Sequence, residues 1–145
     1  MVNGGQPPWS LVDELPRMNR KKRYKKRAGT GVSAIRLDLD TDGFSYRKWG
    51  GVQRCKPRDW LIDNGGDIYT VDAETFANTY TEVSPGRYIK TAKVWAEVAE
   101  SDGVIQTIEG ETHYSAGDYI VYNDEAGLDG YAVSGKEFES MYEPC

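Results

Sequence analysis

The sequence has few of the residues from which metal sites and covalent catalytic sites are usually built. It contains two cysteines, Cys55 and Cys145, and one histidine, His113, in 145 residues. A structural zinc site needs a full set of Cys and His ligands, and neither a CxxC nor an HExxH spacing is present. We therefore expect no metal and no cofactor. Two cysteines are also too few for a disulfide scaffold, so we expect reduced thiols.

Long hydrophobic runs are absent as well. The longest apolar stretches, such as residues 119–122, reach four or five residues, whereas roughly 18 are needed to cross a bilayer. Near the N-terminus, Pro7, Pro8 and Pro16 interrupt the apolar stretch that a secretory signal requires. These absences predict a cytoplasmic protein with no membrane partner.

What is present is the composition of a folded domain. Hydrophobic residues make up 39% of the chain and charged residues 28%, with 16 glycines, four tryptophans and ten tyrosines. This composition is typical of a globular protein rather than a disordered or low-complexity one. The length leaves room for one ordinary domain or for two small ones that share a core.

Charge is divided unequally along the chain. The formal net charge is −5, but the first 27 residues hold eight basic and two acidic side chains, and the rest hold ten basic and 21 acidic ones. We predict a basic N-terminal arm over residues 1–22, continued by basic residues of the next segment. These cations either bind an anionic partner such as nucleic acid or lie on the protein's own acidic surface. The candidates are Arg20, Lys21, Lys22, Arg23, Lys25, Lys26 and Arg27.

A short apolar segment precedes the basic run. Ser10 can cap a helical turn, with Asp13 three residues later, and Pro16 ends it. Trp9 and Leu11 contribute to the apolar face of this turn. Two interpretations stay open: the turn packs on the protein's own body, or it docks in the groove of a partner as a linear motif.

The clearest signal is an internal repeat, found by sliding the chain against itself. Residues 23–28 recur at 87–92 with Arg, Tyr, Lys and Ala at the same spacing, and residues 59–64 match 118–123 at an offset of 59. The aromatic residues that follow also correspond, Tyr69 with Tyr131, Phe76 with Phe138, and Tyr80 with Tyr142. So many ordered aromatic matches predict a tandem duplication.

Each repeat is predicted to contain several strands and one short closing helix. Alternating apolar and polar residues indicate the strands. Phe138 and Tyr142 share one face of a helix, and Asp72 is the N-cap of the equivalent helix in the first repeat. We therefore expect an α+β, mainly β fold in which repeat 1 (residues 23–86) and repeat 2 (residues 87–145) pack as one pseudo-symmetric domain around a shared aromatic core.

The second repeat carries a Gly-Asp-aromatic turn at residues 117–119 and a closing Phe-x-x-x-Tyr-Glu-Pro at residues 138–144. With these motifs it resembles the PGDYG family of small bacterial and phage proteins. The first repeat looks like a diverged member, because Arg58 replaces the motif glycine. The resemblance implies common ancestry and a bacterial or phage setting, and it implies no activity or cofactor.

Two aspartates stand at matched positions immediately before a strong strand. Asp59 and Asp118 either cap the backbone N–H groups of their turns or, related by the pseudo-dyad, face one cleft as the acid/base pair of a small hydrolase. They are the catalytic candidates. Neither His113 nor Cys55 has a neighbour that would activate a nucleophile, so the sequence favours a protein that is not an enzyme.

Cations also cluster in the first repeat. Five of them and a tryptophan fall within twelve residues. They either bind an anion or nucleotide, with the indole stacking on a base, or lie on a solvated strand edge and keep it from pairing with another strand. The residues of this predicted basic face are Arg47, Lys48, Trp49, Arg54, Lys56 and Arg58.

Together these patterns favour a non-enzymatic binding protein. We expect a protein–protein interaction module whose partner is bound through residues 9–15. The alternatives are binding of a nucleic acid, a nucleotide or another anionic ligand through the arm and the basic face, and a small hydrolase that uses its paired aspartates.

Overall fold

The computed structural model describes residues 21–145. The predictions for Trp9, Leu11 and Arg20 fall outside these residues. The described chain is an α+β, mainly β fold, as the sequence predicts, and its helices are α1 (Ala73–Thr79) and α2 (Gly135–Met141). The strands are β1 (Lys22–Lys26), β2 (Val32–Arg36), β3 (Phe44–Lys48), β4 (Gly51–Cys55), β5 (Trp60–Asn64), β6 (Asp67–Val71), β7 (Tyr80–Ser84), β8 (Arg87–Lys90), β9 (Val94–Val98), β10 (Gly103–Gln106), β11 (Glu111–Tyr114), β12 (Tyr119–Tyr122), β13 (Gly130–Val133) and β14 (Tyr142–Pro144).

The strands form two five-stranded antiparallel sheets and two hairpins. Sheet 1 has the order β6-β5-β2-β8-β7, and sheet 2 has the order β13-β12-β9-β1-β14. The middle strand of each sheet leads into a hairpin, β3–β4 or β10–β11, and each helix connects the two edge strands of its own sheet. The two sheets therefore share one topology, element by element. Descent of both from one duplicated module stays a prediction.

Strand β1 connects the two halves, because it precedes the strands of sheet 1 in the sequence but belongs to sheet 2. It is inserted between β9 and β14 of sheet 2, where Tyr24 pairs with Val94 and Lys26 pairs with Tyr142. At the same place in sheet 1 lies β8, in which Lys90 pairs with Tyr80. The basic run is thus a sheet strand rather than a free arm from residue 22 onward, because its backbone completes the hydrogen bonding of two neighbouring strands.

The apolar core consists of two clusters, one on each sheet, rather than the shared core that we expected. Phe76 and Phe138 are 2% and 1% exposed. The ring of Phe76 stacks on Trp60 at 4.0 Å between centroids, and the ring of Phe138 stacks on Tyr119 at 4.1 Å. Each helix joins the two edges of one sheet, so it lies across that sheet and its phenylalanine is buried there.

Both helices begin directly after an N-cap residue, Asp72 for α1 and Ser134 for α2. Asp72 accepts a hydrogen bond from the backbone N–H of Thr75 at 3.0 Å, which confirms the predicted N-cap. Ser134 caps α2 in the same way, accepting from the backbone N–H of Glu137 at 3.3 Å and donating to its carboxylate at 3.0 Å. Such caps supply acceptors to N–H groups that the first helical turn leaves unpaired.

The two hairpins meet where the halves contact each other. Gln53 of β4 forms an isolated bridge with Gly110, and the backbone N–H of His113 donates to the carbonyl oxygen of Trp49 at 2.8 Å. A Cβ at Gly110 would overlap the carbonyl oxygen of Val52. The backbones approach so closely that only glycine fits there.

Among the described residues, no helix has the length and apolar character needed to span a membrane.

Candidate functional site: a lysine–tyrosine cavity between the halves

Most of the predicted basic run lies against the protein's own side chains. The ammonium of Lys25 is 3.6 Å from the carboxylate of Glu143, and the guanidinium of Arg27 is 3.5 Å from it. Lys21 lies over the ring of Tyr122, 4.3 Å from its centroid, and Arg23 lies over the ring of Trp95 at 4.8 Å. Lys22 is exposed. Of the two open interpretations, this geometry corresponds to cations that lie on the protein's own surface.

The predicted basic face is divided between the two sides of the β3–β4 hairpin. Arg47 and Arg54 are exposed, and Arg54 donates to the carbonyl oxygen of Asp42 at 2.6 Å. Successive strand residues alternate sides, so Lys48 lies on the opposite side from Arg47. There its ammonium is 2.7 Å from the carboxylate of Asp67.

The remaining cations of that set are paired with carboxylates. Lys56 is 3.2 Å from Asp59 and 3.0 Å from Asp72, and Arg58 is 3.6 Å from Asp38. The cations of the set are therefore dispersed, and they do not form the single basic face that the sequence suggested.

Asp59 and Asp118 both cap their turns. Asp59 is 1% exposed and accepts from the backbone N–H groups of Lys56 and Ala73 at 2.8 and 3.0 Å. Asp118 accepts from the backbone N–H of Ser115 at 2.9 Å. Of the two interpretations that the sequence left open for this pair, these contacts correspond to capping of the turns. A hydrolase that uses both remains an untested prediction which the buried, fully bonded position of Asp59 does not favour.

A cavity of the described chain has a volume of about 300 Å³, and residues of both halves form its walls. Trp49 of the predicted basic face and Lys26 of the predicted basic run line it. Much of the remaining lining consists of residue pairs at matched positions of the two repeats. These pairs are Lys26 with Lys90, Asn64 with Asn123, Asp67 with Asp129, Tyr69 with Tyr131, and Tyr80 with Tyr142.

The two lysines of the cavity have weak partners for their charge. Lys90 is 6% exposed, and its ammonium donates to the hydroxyl of Tyr131 at 2.9 Å. The ammonium of Lys26 is 3.7 Å from the sulfur of Met141 and 5.3 Å from the ring centroid of Tyr142. Within residues 21–145, neither lysine has a carboxylate at ion-pair distance.

This environment favours the neutral amines. Burial and the positive charge of Lys26 lower the pKa of Lys90 to about 7, against the opposing effect of Asp129. Burial lowers the pKa of Lys26 to about 8. Desolvation disfavours a charged group and a neighbouring like charge disfavours it further. An anion in the cavity would oppose these effects and stabilise the charged form of the lysine that it contacts.

The tyrosines supply hydroxyl donors beside the amines. The hydroxyls of Tyr131 and Tyr142 are 3.3 Å apart. Burial raises the pKa of Tyr142 to about 12 and raises the pKa values of Tyr69, Tyr80 and Tyr131 above the ordinary tyrosine value. All four hydroxyls therefore stay protonated at neutral pH.

Asn123 adds an acceptor to the wall of the cavity. Its side-chain amide donates to Asp129 at 3.1 Å, and Asp129 also accepts from the hydroxyl of Thr75 at 3.2 Å. The buried side-chain oxygen of Asn123 has no hydrogen-bond partner among the described residues. Buried polar atoms are nearly always paired, so this oxygen is an exception, and a donor would reach it only after a local rearrangement of the cavity wall.

No family model, curated protein or solved structure matches the chain. The resemblance of the second repeat to the PGDYG family stays a prediction. The described residues also contain no group of three or more His, Cys, Asp and Glu side chains placed to hold a metal ion.

Sequence reasoning missed Lys90 as a site residue and placed Lys26 in the basic run that continues the arm. A signal was present, because both lysines belong to the repeated Arg-Tyr-x-Lys-x-Ala pattern. Residues whose only task is to keep an arm solvated need no counterpart in a second repeat. The recurrence of lysine and tyrosine together indicates a position that faces inward in both halves.

Proposed function

We propose that this protein binds a small organic anion in the cavity between its two halves. Lys26 and Lys90 carry the proposal, because they line one cavity and have no carboxylate partner among the described residues. A buried cation without a counter-charge is unfavourable. A ligand that brings a negative charge would supply the missing partner.

The dimensions of the cavity favour a small ligand. Its volume of about 300 Å³ is at the lower end for small-molecule sites. Hydroxyls of four tyrosines offer hydrogen bonds, while the aromatic rings favour a partly apolar molecule. A short carboxylic acid or a small phosphorylated metabolite meets these requirements.

A large polyanion such as a nucleic acid is a weaker candidate than a small anion for the ligand of the described residues. Lys25, Arg27, Lys48, Lys56 and Arg58 are engaged with the protein's own carboxylates, so a nucleic acid would have to displace them. A protein partner bound through residues 9–15 stays our prediction for that segment. From the sequence we further propose a cytoplasmic protein related to the PGDYG family of bacteria and phages.

Thermal unfolding in the presence of lactate or inorganic phosphate tests the proposed site. A ligand that binds only the folded state raises the melting temperature as its concentration passes Kd. We expect this rise in the wild-type protein, and we expect its loss when Lys26→Met and Lys90→Met are combined. Lys25→Met is the matched control, because Lys25 is exposed on the same strand as Lys26.

Loss of the effect in the double variant with retention in the control supports the cavity. The proposal is wrong if neither anion stabilises the wild-type protein, or if Lys25→Met abolishes the effect as fully as the double variant does.

A further inference from the structure

We propose that Lys90 is a carbonyl-reactive amine that condenses with a small 2-oxo acid, whose carboxylate is bound by Lys26. This inference rests on the proposed function, because it names the substrate class of the same cavity. It adds a covalent step that anion binding alone does not require.

The two lysines are suited to different tasks. Lys90 is the more deeply buried, and the hydroxyl of Tyr131 holds its nitrogen in place at 2.9 Å. Lys26 is less buried, and the sulfur of Met141 is a weak acceptor for its ammonium. An oriented amine suits attack on a carbonyl carbon, and an ammonium without a strong acceptor suits a carboxylate.

A 2-oxo acid brings both reacting parts to this pair of residues at once. Its carbonyl and carboxylate are bonded to each other, so a molecule that fits a cavity of about 300 Å³ can present one group to each lysine. A pair of tyrosines connects the two amines: Lys90 donates to the hydroxyl of Tyr131 at 2.9 Å, that hydroxyl is 3.3 Å from the hydroxyl of Tyr142, and Lys26 lies 5.3 Å from the ring centroid of Tyr142.

Only an unprotonated amine attacks a carbonyl carbon, and an ordinary lysine is almost fully protonated at neutral pH. Burial and a second cation keep part of Lys90 neutral, which is a known way to activate a lysine. The titratable groups that share the cavity with it are Lys26 on β1, Asp67 and Tyr69 on β6, Tyr80 on β7, Glu109 before β11, His113 on β11, Asp118 before β12, Asp129 before β13, Tyr131 on β13, Glu137 on α2 and Tyr142 on β14.

The step balances without an oxidant or a reductant. The nitrogen of Lys90 forms a bond to the carbonyl carbon, Tyr131 gives its proton to the carbonyl oxygen, and it recovers a proton from the nitrogen. Tyr131 then gives its proton to the resulting hydroxyl group, which leaves as water while the carbon–nitrogen double bond forms, and Tyr131 recovers the last proton of the nitrogen. One amine and one carbonyl give one imine and one water, and Tyr131 ends unchanged.

Reductive trapping tests the inference. The full chain is incubated with pyruvate and sodium cyanoborohydride at neutral pH, and its peptides are analysed by mass spectrometry. We expect the peptide with Lys90 to gain the mass of pyruvic acid less one oxygen atom, roughly tenfold or more faster than the peptide with Lys93, since a neutral amine is far more abundant when the pKa is near 7. Lys93 is an exposed lysine three residues away.

Two controls separate imine formation from anion binding. Lactate has the carboxylate of pyruvate but no carbonyl, so it should slow trapping at Lys90 and leave Lys93 unaffected. Lys90→Arg should abolish the fast modification, and Lys93→Arg should not. If Lys90→Arg does not fold, competition by lactate on the wild-type protein decides.

The outcomes distinguish the two proposals. Stabilisation by lactate without trapping at Lys90 overturns the imine and leaves the anion site standing. Absence of both overturns both. Trapping that proceeds equally at Lys90 and Lys93, or that lactate does not slow, shows ordinary surface chemistry and overturns the inference.

Discussion

The two halves of the molecule have the same strand order but treat the lysine at the matched position differently. In sheet 1, Lys90 is buried and donates to Tyr131, which belongs to sheet 2. In sheet 2, Lys26 is less buried and faces Met141, whereas the matched residue in sheet 1 is Thr79. The same backbone can therefore place two identical residues in different electrostatic environments, because Lys90 contacts a side chain of the other sheet, whereas Lys26 contacts Met141 and Tyr142 beside its own strand.

The largest effect on stability is expected from removal of the phenylalanine ring of either helix. Phe76→Ala and Phe138→Ala should each lower the free energy of unfolding by about 3–5 kcal/mol, through lost burial and the cavity left behind. The two losses should be similar because both rings are almost fully buried. Urea unfolding measures them. A loss below about 1 kcal/mol for one ring would contradict the equivalence of the two clusters.

The two cavity lysines should change the free energy of unfolding over different pH ranges. The pKa of Lys90 is about 7 in the folded protein and 10.5 at its ordinary value, so between these values the unfolded chain holds a proton that the folded protein lacks. The free energy of unfolding should therefore rise with pH between about pH 7 and pH 10.5, by about 1.4 kcal/mol per pH unit for one proton. For Lys26, whose pKa is about 8, the rise should begin about one pH unit higher.

Urea unfolding of Lys90→Met and Lys26→Met between about pH 6 and pH 9 checks this difference. Lys90→Met should be more stable than the wild-type protein at the acid end, where the wild-type lysine is charged and buried, and its advantage should shrink as pH rises. Above about pH 10, the raised pKa of Tyr142 lowers stability again. Parallel pH profiles for the wild-type protein and Lys90→Met would contradict the assignment.

The next largest expected difference lies between the two turn aspartates, Asp59 and Asp118, whose removal should lower the free energy of unfolding by unequal amounts. Asp59→Ala should lower the free energy of unfolding by about 2 kcal/mol or more, because it leaves buried backbone N–H groups of Lys56 and Ala73 without an acceptor. Asp118→Ala removes one hydrogen bond at a less buried turn, and should lower it by about 1 kcal/mol. Chemical denaturation of both variants measures the difference, and equal losses would contradict it.

The smallest expected effect on stability concerns Glu143 on β14 and its match Thr81 on β7. Glu143 pairs with Lys25 and Arg27, whereas the matched position in sheet 1, Thr81, makes a hydroxyl–hydroxyl bond with Thr91 at 3.0 Å. Glu143→Gln should lower the free energy of unfolding by about 0.5 kcal/mol or less, since such exposed pairs contribute little.

Ionic strength distinguishes these two matched positions. The effect of Glu143→Gln should vanish in about 1 M salt, where charges are screened over a few ångströms, whereas the effect of Thr81→Val should not depend on salt. Melting temperatures at low and high salt measure both. A salt-independent effect of Glu143→Gln would show that the ion pairs do not stabilise sheet 2.

Local sequence was sufficient to predict the main elements of the fold. The helices follow from the spacing of Phe138 and Tyr142 and from the cap at Asp72, which depend on neighbours within one or two turns. The mainly β class follows from short alternating segments between glycine turns. The candidate site was not predictable in this way, since Lys26 and Lys90 are distant in sequence and nothing local distinguishes them from exposed lysines.

The sequence by itself determined which segments are strands and helices, and which positions of the two halves correspond, because periodicity, capping and repetition are local or linear properties of the chain. Only the tertiary structure decided that β1 lies between β9 and β14 and that Lys26 and Lys90 line the same cavity. Strand partners are chosen by non-local hydrogen bonding and burial. The pKa of a lysine is likewise set by the groups that surround it after folding.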